Sequence, residues 1–288
     1  MVQVLLLILN HINFTNSAEL RVLYFLLNLI FLTLFIIVII IMASFNNSEV
    51  LKNHMTKGSS SKFTQEEIDK ICKSAEDGVE LLIKNAINDE TNTDGNPWIK
   101  LFENKDLDLK VYNSETIGCP IKKFKAICNI NYPPKHVQEF ISNNEQRLIW
   151  DRNVCNLTAL TVLQEDRKKV ILLRSATNKV GPIAGRDFID TTAIIEYDDG
   201  SRVSGGAGIE GIGFPDRIGQ FVRGFNQSGG GWYFQPIDNG NKTKVTYIIQ
   251  CDLKGWFPAL VINQVLGGSF VDFFSDLKKA LDNNNNSK

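Results

Sequence analysis

The stretch from Gly255 to Leu281, GWFPALVINQVLGGSFVDFFSDLKKAL, constrains the fold more than any other part of the chain. Pro258 suits the first turn of a helix, where its missing N–H has no intrahelical bond to lose. Leu266, Phe270, Phe273 or Phe274, Leu277 and Leu281 then recur every three or four residues, which marks one apolar helical face. Val261, Ile262, Val265 and Val271 are apolar as well, so this helix carries more apolar surface than one packing seam covers. Gly267-Gly268 sits in its middle, at a cost of about 1 kcal/mol each against alanine. Such a helix needs a broad apolar surface to lie on.

The residues before it supply one. Ile121 to Ile130 alternates, with Phe124, Ala126, Cys128 and Ile130 on one face and Lys123 and Lys125 on the other, as in a half-buried strand. Strand patterns follow at 156–164, 169–177, 188–197, 202–209, 220–226, 232–236 and 243–253, with Asp198-Asp199-Gly200 as a hairpin turn. Thr64-Gln65-Glu66-Glu67 is a capping box that opens a helix to about Asn88, with Ile68, Ile71, Ala75, Val79, Leu82 and Ile83 as its buried stripe. Pro133-Pro134 begins a short helix ending near Trp150. The expected fold is α+β: a long antiparallel meander, strongly curved, with the terminal helix across its open face. Residues 282–288 are polar and asparagine-rich and read as a disordered tail.

The amino-terminal part differs in character. Within residues 1–43, the run 22–43 is almost wholly apolar and long enough to cross a bilayer core of about 30 Å as a helix. Lys52, His54, Lys57 and Lys62 follow it and favour a cytoplasmic placement of the downstream domain. The alternative is a start at Met42, with the run as an upstream extension. Residues 44–62 are polar and serine-rich and read as a linker. The five cysteines are scattered, without C-x-x-C spacing, which fits reduced cytosolic thiols rather than a disulfide frame or a zinc site.

Chemistry is sparse. The chain has 288 residues and a net charge of −1, so no global field draws it to nucleic acid, and its aromatics are not interleaved with basic residues. Gly206 to Gly211 matches G-x-G-x-x-G, yet Ile212-Gly213-Phe214-Pro215 follows where a phosphate-binding helix would have to start. His136 is the single histidine after residue 62, too few for a triad or a zinc centre. Asp187 and Asp190 fall on opposite faces of a strand and do not form an acid–base pair. No catalytic residue, metal site or cofactor is expected. What remains is shape: a curved sheet, an over-apolar helix and a loop with exposed Ile212, Phe214 and Pro215, which together describe a cavity with a mouth.

Several stretches resemble one family. LIWDRNV (148–154), GRDFIDT (185–191), FVRGFN (221–226), WYFQP (232–236) and DLKGWFPALVINQVL (252–266) are similar to the START domain, the lipid-transfer fold related to steroidogenic acute regulatory protein, in order and spacing. The resemblance covers residues 63–281. It implies a helix-grip fold in which the sheet grips the terminal helix around a tunnel holding one lipid, gated by that helix and the loop 212–218. The last run is most similar to the cholesterol-binding branch. There an arginine stands six positions beyond the R-D-F arginine and pairs with a buried acid on the preceding strand. Here that position is Thr192, the expected acid is not evident, and Leu172-Leu173-Arg174-Ser175 stands in its neighbourhood. A sterol hydroxyl would then meet Thr192 or Ser175, whereas an inward Arg174 would suit a phospholipid. Lipid contacts are expected at Arg174, Ser175, Thr192, Phe214, Leu266, Phe270, Phe273 and Leu277. The expectation is a monomeric, non-enzymatic lipid-binding and transfer protein working at membranes. A lipid sensor, or a cyclase on a similar scaffold, is the rival reading.

Overall fold

The computed structural model describes residues 63–178, 184–210, 212, 221–254 and 259–286. The apolar run 22–43, the linker 44–62 and residues 213–218 of the expected gate lie outside them. Among the described residues no helix is long and apolar enough to cross a membrane.

Helix α1 (Gln65–Ile87) starts at the expected capping box: Thr64 N–H donates to Glu67 Oε2 at 2.8 Å and Glu67 N–H donates back to Thr64 Oγ1 at 3.3 Å. A hairpin follows, β1 (Ile99–Asn104) and β2 (Leu109–Thr116), and then the long strand β3 (Cys119–Ile130). The segment opened by Pro133-Pro134 is two helices, α2 (Pro134–Ser142) and α3 (Asn144–Trp150). The break falls at Asn143, whose Oδ1 accepts from Gln146 N–H at 3.0 Å and so caps the second helix. Strands β4 (Val154–Gln164), β5 (Lys168–Thr177), β6 (Arg186–Glu196) and β7 (Arg202–Gly208) form the next meander. The single strand expected at 220–226 is two short ones, β8 (Val222–Arg223) and β9 (Phe225–Asn226). After β10 (Gly230–Ile237), the run expected at 243–253 divides into β11 (Lys242–Ile249) and β12 (Cys251–Asp252).

The main sheet runs β1-β2-β3-β11-β10-β7-β6-β5-β4, and its neighbours along this path are antiparallel. β8 adds to β6 in parallel. Its inner face carries Phe124, Ala126, Cys128, Trp232, Phe234 and Val245, on which the closing helix α4 (Ala259–Asn286) lays Phe270, Phe273, Phe274, Leu277 and Leu281. Its outer face carries Val170, Leu172, Ile189, Ala193, Val203, Tyr233 and Ile248, covered by Ile71, Ala75, Val79 and Leu82 of α1.

Covering both faces changes the expected exposure of β3. Lys125, expected in water, is buried under α1, where its ammonium donates to Asn88 O at 2.8 Å and lies 4.5 Å over the Trp98 ring. Lys123 is buried as well. Alternation along one strand tells polar from apolar, but not whether a helix later covers the polar side. α4 also continues to Asn286 instead of fraying into a tail at Asp282, whose carboxylate accepts from Tyr132 Oη at 2.9 Å. The strand that carries the G-x-G-x-x-G glycines is followed by no helix among the described residues.

The close approach of α1 to the sheet rests on glycines. A Cβ on Gly78 would lie 2.4 Å from the carbonyl carbon and oxygen of Gly206, and one on Gly205 2.5 Å from Leu82. The Gly78 contact is backbone on backbone, with no side chain to move aside. Gly78→Ala is therefore expected to destabilise the protein by about 1–3 kcal/mol and to lower the melting temperature by several degrees. An unchanged thermal unfolding midpoint would contradict this packing.

Candidate functional site: the inner face of the central sheet

Strands β5 and β6 have two faces in different environments. On the α1 side Val170, Leu172, Arg174, Ile189, Thr191 and Ala193 are all at most 3% exposed. On the inner side Leu173, Ser175, Asp190, Thr192 and Ile194 are only half-buried, although they belong to interior strands of the sheet. The register places Leu173 opposite Asp190, Ser175 opposite Phe188 and Ile171 opposite Thr192, so these residues share one surface.

Asp190 decides what that surface faces. Its two carboxylate oxygens each accept from the Asn226 amide at 3.0 Å. Burial pushes its pKa from 3.8 up to about 7, against the lowering pull of Asn226 and of Arg223. Tyr247 of β11 behaves alike: half-buried by surface, yet with its phenol pushed well above its ordinary value by burial. A group cannot be both bathed in solvent and strongly desolvated. The inner face of the sheet therefore carries half-buried polar groups in desolvated surroundings.

Asp187, three residues earlier, has the opposite surroundings. It is fully buried and accepts from Arg174 Nη2 at 2.8 Å and from Arg223 Nη2 and Nε at 2.9 and 3.1 Å. Arg174 follows Leu172 on the α1 side and stands opposite Ile189, so it does not turn inward as a phosphate contact would; its neighbour Ser175 does. The adjacent Arg186 donates to the main-chain oxygens of Leu253 and Lys254 at 2.9 and 3.1 Å, just before α4. These contacts tie Arg186 and Asp187 into the fold and leave Asp187 no part in an acid–base pair.

The other expected contacts divide. Thr192 and Ser175 are half-buried on the inner face. Phe270 packs with Phe124 and Tyr247, and Phe273 with Trp150, Trp232 and Tyr247, in one aromatic cluster. Leu277 is fully buried in protein. Leu266 lies in α4, but its side chain, and all of Phe214, fall outside the described residues. Ile212, expected to be exposed, is buried with Ile209 in the cluster under α1. Among the described residues no group of three His, Cys, Asp or Glu side chains could hold a metal ion, and all five cysteines are free.

Residues 83–287 match the START domain, and that span is well over half of the chain. The chain belongs to the START domain family. It is 30% identical to human StAR-related lipid transfer protein 4 over 141 residues, covering 47% of this chain and 63% of that protein. It is 31% identical to the Xenopus laevis steroidogenic acute regulatory protein over 169 residues, covering 58% of each chain. Each match thus spans less than two thirds of the relative. Human StAR-related lipid transfer protein 5 has the same fold, with a TM-score of 0.64 at 22% identity over 75% of this chain and 98% of that one.

The carboxylate on this face stands on β6 itself, at Asp190, directly across from Leu173 of β5. The signal was present in the sequence: Asp190 is two residues before Thr192, and a period of two puts both on one face. A cation introduced at 192 would therefore have a carboxylate on its own face.

A carboxylate whose folded pKa is raised takes up a proton that the unfolded chain does not. Stability is therefore greatest at low pH, falls as pH rises from about 4 to about 7, and carries the full cost above that, up to about 4 kcal/mol. Asp190→Asn removes the cost. Its melting temperature is expected to exceed that of the unaltered protein clearly at pH 8 and little at pH 5. An equal difference at both values would place Asp190 in water.

Proposed function

We propose that this chain binds one lipid against the inner face of the sheet and carries it between membranes without catalysing a reaction. The observation that carries the reading is the contrast between the two faces of β5 and β6, one sealed by α1 and the other only half-buried at Leu173, Ser175, Asp190, Thr192 and Ile194. Desolvation would be the work of such a site: each methylene moved out of water gains about 0.8 kcal/mol. The names of the relatives, which are lipid transfer proteins, point the same way. The Ser175, Thr192 and Asp190 patch would meet the head group, and Phe270, Phe273 and Leu266 the apolar body. Leu277 and Arg174 support the site from outside it.

In this reading α4 is the moving wall, with the loop 212–218 as the other part of the gate. Its glycine pair is helical, and both positions have room for a methyl: a Cβ on Gly267 would lie 3.4 Å from Leu101 and 3.7 Å from Phe124, and one on Gly268 meets nothing within 4 Å. Gly267→Ala with Gly268→Ala is expected to stabilise the helix by up to about 2 kcal/mol. If exchange requires α4 to bend there, transfer of a fluorescent lipid between vesicles should slow by up to about 30-fold, with the lipid held at equilibrium little changed. A stabilised variant that transfers at the original rate would show that α4 does not bend. Binding without any transfer by the unaltered protein would favour a sensor, and no binding would overturn the reading.

A further inference from the structure

We infer that Asn263 is a latch: its side chain clips the first turns of α4 to the start of β3, and its release opens the path by which a lipid enters and leaves. The inference rests on the lipid-binding reading above and adds to it the place of opening.

The start of β3 needs such a partner. On one side β2 pairs Ser114 with Lys123 and next Thr116 with Cys119, and on the other β11 ends its pairing at Ile249 with Phe124. Residues 120–122 therefore have no residue opposite them on either neighbour. A buried main-chain group left in that state costs about as much as a lost hydrogen bond. Side chains take the place of strand partners. The Ile121 carbonyl accepts from Gln250 Nε2 at 2.8 Å. Lys122 N–H donates to Asn263 Oδ1 at 2.9 Å, and Asn263 Nδ2 donates to the Pro120 carbonyl at 3.5 Å. With one acceptor and one donor, the Asn263 amide stands in for a peptide group of a missing strand.

The two halves of α4 are held unequally. The second half buries Phe270, Phe274, Leu277 and Leu281. It is also tied by Asp276 to Arg152 at 2.6 Å, by Lys278 to the Leu107 carbonyl at 2.6 Å and by Asp282 to Tyr132 at 2.9 Å. In the first half, among the described residues, the polar tie to the sheet is Asn263. Just before the helix, Arg186 holds the carbonyls of Leu253 and Lys254, so the chain is fixed where it enters. A helix anchored in its second half and pliable at Gly267-Gly268 opens at its first half, and the Asn263 contacts have to break for it to do so. The gap then lies between α4 and residues 120–122, beside the turn at Ile117, whose side chain is 82% exposed.

The test follows transfer of a fluorescent sterol and of a fluorescent phosphatidylcholine between phosphatidylcholine vesicles by the full chain and three variants. Asn263→Ala removes the latch, Asn263→Asp keeps an acceptor for Lys122 N–H, and Asp276→Asn weakens a tie of the second half instead. Asn263→Ala is expected to transfer about fivefold or more faster, with the lipid held at equilibrium little changed. Asn263→Asp and Asp276→Asn should stay close to the unaltered protein. Hydrogen exchange reads the latch directly: the Lys122 amide should exchange several-fold faster in Asn263→Ala and no faster in Asp276→Asn. Thermal melts show that each variant is folded. Equal transfer by Asn263→Ala and the unaltered protein, an unchanged Lys122 exchange rate, or an equal acceleration by Asp276→Asn would overturn the assignment. Binding with no transfer by any of the four proteins would overturn the latch and leave lipid binding standing. Binding of neither lipid by the unaltered protein would overturn the lipid-binding reading itself.

Discussion

The contact of α1 with the sheet, backbone against backbone at Gly78 and Gly206, sets the conditions for everything else. Because no side chain intervenes, Ile71, Ala75, Val79 and Leu82 reach the strands and exclude water from one whole face. A sheet sealed there has its other face for α4. Its aromatic side chains close one region with Trp150, Trp232 and Tyr247, while the surface around Asp190 and Thr192 stays accessible.

Strand β6 carries both solutions to burying a carboxylate. Asp187, on the sealed face, accepts from two arginines, and loss of either would leave buried polar groups without their partner. Asp190, on the inner face, has an amide partner, and burial raises its pKa. The first arrangement is structural and also ties segments together. Asp187 holds Arg223 downstream of the loop 212–218, and its neighbour Arg186 holds the two carbonyls that precede α4. The dipeptide Arg186-Asp187 thereby fixes the chain beside both parts of the proposed gate, leaving the second carboxylate three residues on to face the ligand.

Much of this was legible in the sequence because it is local. The capping box at Thr64, the alternation along β3 and the over-apolar terminal helix each follow from the order of a few residues. Family resemblance placed Thr192 inside. What was not legible depends on long-range placement. Nothing in the alternation of Lys123 and Lys125 tells that both will be buried, and nothing in Arg174 tells which face of β5 it takes. That is fixed by its register with Ile189 and by where α1 lies. Ile212 looked exposed among glycines and a proline, yet it packs with Ile209 in the cluster under α1. Asp190 was nearer to hand. Period two from Thr192 would have found it, but an acid was sought on the neighbouring strand, and the strand partner Leu173 stands there instead.

The central claim is that the folded protein holds one lipid against the inner face of its sheet. Native mass spectrometry of the protein, incubated with mixed sterol and phospholipid vesicles and then separated from them, tests it most directly. The account predicts a folded species at the mass of one chain plus one lipid, with that lipid recovered and identified on unfolding. A folded species at the bare chain mass, with no lipid recovered on unfolding, would contradict it.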